Sequence, residues 1–295
     1  MINLNKNSRR QFLFIYFLKI GFIIALFMVL LAGCHRKVEA LKSPPHYDFS
    51  VQEISKLDIR LREISGISWE TIGNRFLAIN DEAGKLYVIN KESKAIDSIY
   101  TFGGKGDYED VAAANGVPYI LRSDGMITRF DLDASGKATG TEVATLKIKG
   151  SEDFESLYFD PGRKALIMLC KNCAIDGKDK INAYAYYLDS IGLDSQPVYQ
   201  IDVEEAKRLA PRKSSKLQPS AAAINPQQQK LYILSSASNQ LAIADLNGKV
   251  EAMFVLSKRL FPQPEGICFR ANGDMYISNE GGNGKATLLK FPYRP

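Results

Sequence analysis

The sequence predicts an all-β fold, a β-propeller of four-stranded blades, with five blades the simplest count. Three observations point there. From Tyr47 onward, short apolar strands alternate with Gly, Asn and Asp turns, and helical periodicity is almost absent. One pattern recurs five times: "EISGISW" (63–69), "DYEDVAA" (107–113), "DFESLYF" (153–159), "QPSAAAI" (218–224) and "QPEGICF" (263–269). Its third residue falls at Ser65, Glu109, Glu155, Ser220 and Glu265, at spacings of 44, 46, 65 and 45 residues. A four-stranded unit of about 45 residues is the signature of a propeller blade.

Each unit continues in the same order. Second strands follow a turn as "FLAINDE", "PYILRSD", "ALIMLCK", "KLYILSS" and "DMYISNE". Third strands are "KLYVIN", "MITRFDL", "NAYAYYL", "QLAIADL" and "ATLLKFPY". A fourth strand completes the first four units, as "AIDSIYTF", "TEVATLKI", "PVYQIDV" and "VEAMFVL". The fifth unit reaches Pro295 after three strands, so "YDFSVQEISKLDI" (47–59) is expected to supply its outer strand and close the ring. Stacking such sheets around an axis buries faces that one sheet alone leaves wet. Six blades would require a degenerate blade in the 65-residue interval between the third and fourth repeats. That interval holds the one helix-like patch, "DVEEAKRLAPRKSSK" (202–216), read as a rim insertion or, more sharply, as a lid or partner contact.

The N-terminus has a different character. Residues 1–33 read as a lipoprotein signal peptide: a basic start, the apolar run "IGFIIALFMVLLA" (20–32) and the small residues Ala32 and Gly33 before Cys34. "LAGC" (31–34) resembles a lipobox, with Cys34 as the lipidated residue. Residues 34–46 are then a lipid-anchored tether and residues 47–295 a single propeller domain. The expected location is the cell envelope, facing the periplasm or exterior. His35 after the cysteine, in place of aspartate, favours the outer membrane over the inner. Residues 1–33 hold four basic residues and no acidic ones, which leaves 34 basic against 33 acidic. The pI of 8.8 therefore reflects targeting, and nucleic acid is not an expected partner. The mature protein is expected to be monomeric, with the membrane, reached through Cys34, and an unknown small ligand or envelope protein as its partners.

Inner strands line a propeller's channel, and residues two apart on a strand share a face. Two acidic layers follow. One is Ser65, Glu109, Glu155, Ser220 and Glu265; the other is Glu63, Asp107, Asp153, Gln218 and Gln263. Asp81, Arg122, Lys171, Asn279 and Glu280 end second strands and are expected at the same mouth. Two charges ~4 Å apart repel by roughly 4 kcal/mol at an effective dielectric near 20. The glutamates therefore need hydrogen bonds and pairing with Arg122 or Lys171, protonation, or a cation. Glu109, Glu155 and Glu265 offer oxygen ligands alone, which suit a hard ion such as Ca²⁺.

Other chemistry is thin. The two histidines, His35 and His46, both precede the propeller, which excludes a Ser–His–Asp triad or a histidine zinc site within it. "FGGKG" (102–106) precedes no helix and is a turn, not a phosphate loop. "CKNC" (170–173) lacks a zinc or thioredoxin context and reads as two incidental thiols or a local disulfide, while Cys268 reads as a core residue.

"EISGI", "NDEAGKLYVIN", "DFESLYFD", "LQPSAAAINPQQQKLYILSSASNQLAIADLNGKV" and "PQPEGICFRANGDMYISNEGG" resemble the SdiA-regulated, YjiK-like bacterial propellers over roughly residues 58–292. "QPSAAAI" departs from the family pattern in lacking a glycine after the serine. The resemblance implies an envelope-associated propeller and no particular reaction. More distantly, "PEGI" is similar to a motif of calcium-dependent lactonase and esterase propellers, in which the glutamate matching Glu265 is a metal ligand. The expectation is a binding module working through the acidic channel and rim loops, with a calcium-dependent hydrolase of lactone or ester type as the alternative.

Overall fold

The computed structural model describes residues 42–189, 192–211 and 216–295. The expected signal peptide, Cys34 and most of the expected tether lie outside the described residues. Among the described residues, no helix is long and apolar enough to cross a membrane.

The described residues form five antiparallel sheets arranged as a five-bladed propeller. Strand β1 (Glu53–Lys56) comes first. The first blade is β2 (Ile64–Glu70), β3 (Arg75–Asn80), β4 (Ala83–Ile89) and β5 (Ile96–Lys105). The second is β6 (Tyr108–Ala114), β7 (Val117–Arg122), β8 (Met126–Leu132) and β9 (Ala138–Thr145). The third is β10 (Phe154–Asp160), β11 (Ala165–Cys170) and β12 (Lys180–Tyr187), its outer edge divided between β13 (Gly192–Leu193) and β14 (Tyr199–Asp202). The fourth is β15 (Ala221–Asn225), β16 (Lys230–Ser235), β17 (Gln240–Ala244) and β18 (Val250–Val255). The fifth is β19 (Pro264–Phe269), β20 (Met275–Asn279) and β21 (Thr287–Phe291), with β1 as its outer strand.

Ring closure takes the form the sequence implies. Ile54 pairs with Leu289 and Ser55 with Leu288 in the β1–β21 ladder. The chain joins the propeller slightly before Tyr47. Phe49 N donates to Ser43 Oγ at 2.8 Å, and His46 stacks on Tyr293 with ring centroids 5.1 Å apart. Tyr47 is buried and reaches across, its hydroxyl donating to Gly273 O at 2.6 Å and accepting from Asn225 Nδ2 at 2.6 Å.

The core is not one mass. It divides into five apolar clusters, each lying between two adjacent blades. Burial between neighbours therefore supplies the stability that a lone four-stranded sheet lacks. The interval after the third blade contributes α1 (Val203–Leu209), capped by Asp202, whose side chain accepts from Glu205 N at 2.9 Å. Val203, Ala206 and Leu217 are buried among the side chains joining the third and fourth blades. Its helix thus packs against the wall, and none of the described residues of this segment lines the acidic cavity described below.

The inner strands crowd the axis. A Cβ on Gly66 would stand 2.7 Å from Asp110 Cα, and one on Gly266 would stand 3.0 Å from Ile67 N. Only glycine lets these backbones approach so closely.

Candidate functional site

The repeat's third position is a β-bulge. In the inner hairpins the register skips a residue between Ile64 and Gly66, Tyr108 and Asp110, Phe154 and Ser156, and Pro264 and Gly266. The skipped residues are Ser65, Glu109, Glu155 and Glu265. In the fourth blade Ser220 N donates to Leu234 O at 2.9 Å, while Ala221 also pairs with Leu234, so two residues again face one. A bulge bends its strand and re-aims a side chain. All five turn the repeated position toward one end of the channel.

There they enclose a cavity of about 180 Å³ lined by Ser65, Asp81, Asp107, Glu109, Glu155, Lys171, Ser220, Gln263, Glu265 and Glu280. Six are carboxylic acids and one is a base. Lys171 Nζ donates to Glu155 Oε1. Ser220 Oγ donates to Pro264 O at 3.1 Å and accepts from Ser236 N at 3.2 Å. Ser65 is only 6% exposed, and among the described residues its Oγ has no hydrogen-bond partner; Asp81 Oδ1 is also buried and unpartnered.

The electrostatics follow from burial. Glu109 is pushed up to about 9, chiefly by desolvation and then by the charges of Glu155, Asp107 and Asp153. Glu155 rises to about 7, again chiefly by burial, although Lys171 opposes the shift. Glu265 also rises to about 7, through burial and then Glu155, against a hydrogen bond from Ser236. Asp81, Asp153 and Glu280 are raised by burial first. Burial depresses the Lys171 ammonium, but the hydrogen bond and charge of Glu155 outweigh that, so its pKa ends above the ordinary lysine value.

Some expected residues stand elsewhere. Arg122 does not reach the glutamates. Its Nε and Nη2 clamp Asp124 at 2.9 and 2.6 Å, because a carboxylate two residues along the same hairpin is nearer than the ring. Asn279 is fully buried and donates to Thr287 Oγ1 at 3.1 Å and Leu260 O at 3.3 Å, which fastens it within the fifth blade. Glu63 pairs with Arg62 at 2.7 Å, and Gln218 donates its backbone N–H to Ser235 Oγ at 3.1 Å. Neither these two nor Asp153 lines the cavity, and of the expected second layer only Asp107 and Gln263 do. Each bulge breaks the alternation that would stack a complete second layer on the first. Among the described residues no group of three or more His, Cys, Asp or Glu is arranged to hold a metal ion.

Three features escaped the sequence. Ser236 is invisible without the fold that brings it beside Glu265. Asp110, one residue past the bulge, is buried in the channel wall; the aligned glycines Gly66 and Gly266 marked that crowded layer. The opposite channel end holds a larger, apolar cavity of about 290 Å³, walled by Trp69, Phe159, Ile224 and Phe269 among others. Cys170 and Cys173 are joined as a disulfide, and Cys268 is a free, buried thiol.

The family model described as SdiA-regulated matches residues 40–283. No curated protein matches the sequence. Among solved structures, the chain is similar to glutaminyl cyclase from Myxococcus xanthus, at 12% identity over 82% of this chain and 96% of that one, with a TM-score of 0.56. It is also similar to the soluble aldose sugar dehydrogenase of Escherichia coli in its apo form, at 12% identity over 83% and 100% of the two chains, with a TM-score of 0.52. At these identities the likeness is one of fold.

Proposed function

The chain belongs to the SdiA-regulated family, and we propose that it acts as an envelope-anchored, monomeric binding module that takes a small organic cation at the acidic end of its channel. One observation carries this reading. Six carboxylic acids and the unpartnered Ser65 hydroxyl converge on one cavity whose single lining base is Lys171. An ammonium entering there gains carboxylate acceptors and a hydroxyl acceptor that nothing else uses. Its charge also lowers the carboxyl pKa values, so binding releases protons.

The disulfide supports a location outside the reducing cytosol, in keeping with lipid attachment at Cys34. The cavity volume of about 180 Å³ suits a ligand of several heavy atoms, not a macromolecule, so a protein partner would meet the rim loops instead.

Calorimetric titration with n-butylamine tests this reading. Glu155 and Glu265 titrate near 7 and Glu109 near 9, so affinity should rise between pH 6 and pH 9. The released protons should make the heat depend on the buffer. Absence of binding at either pH, or binding unchanged in Glu109→Gln/Glu265→Gln, would overturn it.

A further inference from the structure

The "CKNC" stretch encloses the cavity's one base. Cys170 and Cys173 are bonded to each other, and both are buried. Lys171 lies between them on a loop of four residues. Its backbone N–H donates to Asp153 O at 2.8 Å, and the same carbonyl faces Cys170 Sγ at 3.2 Å. On the far side, Ala174 N donates to Ser151 O at 3.0 Å. The loop is thus fastened at both ends and closed by a covalent bond. The ammonium at its apex donates to Glu155.

A free lysine side chain loses considerable rotamer entropy when held at one acceptor, which is why exposed ion pairs contribute little. Here the backbone is already fixed, and the Lys171 side chain is only 28% exposed and its partner 11%. The cost of ordering is met by the fold, so the pair persists inside the cavity.

We propose that the Cys170–Cys173 bracket makes Lys171 a tethered counter-ion that occupies the Glu155 position of the acidic ring and so lowers by one the number of ammonium groups the cavity takes. This rests on the cation-binding reading above and sharpens it. With Glu155 held by Lys171, the acceptors left in the cavity are the Ser65 hydroxyl and the carboxyl groups of Glu265, Glu109, Asp81, Asp107 and Glu280. Removing the lysine charge frees Glu155 to hold a second ammonium.

Two probes with one carbon skeleton read this out: n-butylamine and 1,4-diaminobutane. The affinity ratio of the two amines on the native protein is the reference, set with Glu155 already held by Lys171. Lys171→Met should shift that ratio toward the diamine by roughly tenfold or more, the weight of one charge-assisted contact. Lys171→Arg should restore the native ratio. Cys170→Ser/Cys173→Ser, which keeps the lysine and loosens its loop, should fall between the native protein and Lys171→Met. A purely structural role for the loop would change both affinities together and leave the ratio unmoved.

An unchanged ratio in Lys171→Met overturns the proposal while leaving cation binding intact. Failure of both amines to bind the native protein instead removes the parent reading. Should Lys171→Met fold poorly, Lys171→Gln gives the same comparison, with circular dichroism confirming the fold. A native ratio in the double serine variant would show that Lys171 needs no bracket and would overturn the role given to the disulfide.

Discussion

Asp110 Oδ2 accepts the backbone N–H of Leu157 at 2.8 Å, joining the inner strand of the second blade to that of the third just below the acidic ring. Oδ1 accepts from Val111 N at 2.8 Å. Inner strands of different blades share no ladder, so their amides depend on such side chains. Ser68 forms the equivalent link between the first and second blades, where its Oγ accepts from Ala113 N at 3.1 Å. Asp110→Ala should therefore strand a buried amide and lower stability by about 1–3 kcal/mol, as read from urea denaturation. Ser68→Ala should cost less, since the Ser68 side is partly exposed. A neutral Asp110→Ala would show that this bond carries no weight.

The ring glutamates set a pH dependence with a definite sign. Their folded pKa values, about 9 for Glu109 and about 7 for Glu155 and Glu265, lie above the ordinary glutamate value of 4.5. The folded state thus holds protons that the unfolded state has lost. Stability is fully present below the unfolded pKa and falls as pH rises, first through 7 for Glu155 and Glu265 and then through 9 for Glu109. Across that window the loss should be on the order of a few kcal/mol, discounted for solvent reaching the cavity. Glu109→Gln/Glu155→Gln/Glu265→Gln should flatten the profile and melt higher than the native protein at pH 9. A native protein whose denaturation midpoint stays level from pH 5 to pH 9 would refute this.

Calcium is the cation the three glutamates first suggest. In the structure one of them already holds Lys171. Chelation with EDTA, and separately added Ca²⁺ in excess, should each shift the native melting temperature by less than about 1 °C if the Lys171 ammonium holds the place a metal would take. A rise that grows with calcium concentration would assign the ring to that metal and return the hydrolase reading to consideration.

The N-terminal segment closes the ring through β1 and through Tyr47. Tyr47→Phe removes two buried hydrogen bonds, to Gly273 and from Asn225. It should destabilise by about 1–3 kcal/mol, with the Asn225 amide left partly unsatisfied. Deleting residues up to Lys56 is more severe, since it bares the β21 edge. That variant should aggregate, or dimerise through the exposed strand, in size-exclusion chromatography. A monomeric deletion variant of native stability would show that closure needs no β1.

Much of the fold was legible because a propeller repeats. Five aligned segments, each needing an apolar strand after a turn, left few arrangements, and the missing outer strand of the fifth unit pointed directly to residues 47–59. The candidate site was legible only to a degree. Glu109, Glu155 and Glu265 align, so their convergence could be read from the pattern. Arg122 aligns with Lys171 equally well, yet one clamps Asp124 and the other reaches Glu155. Hairpin geometry a few residues away decided between them, and alignment carries no such detail. The second acidic layer is incomplete for a related reason: strict alternation predicts it, and a bulge interrupts that alternation in every blade.

The sequence by itself determined the blade count, the closure strand and the position of the carboxylate ring, because these follow from periodicity and from what an unpaired sheet edge and face require. Tertiary structure alone decided how the ring is neutralised. Burial raises the glutamates, a disulfide fixes Lys171 against one of them, and bulges turn the rest inward. Each of these depends on atoms distant in the chain meeting at a few ångströms, where desolvation and Coulomb energies change steeply with position.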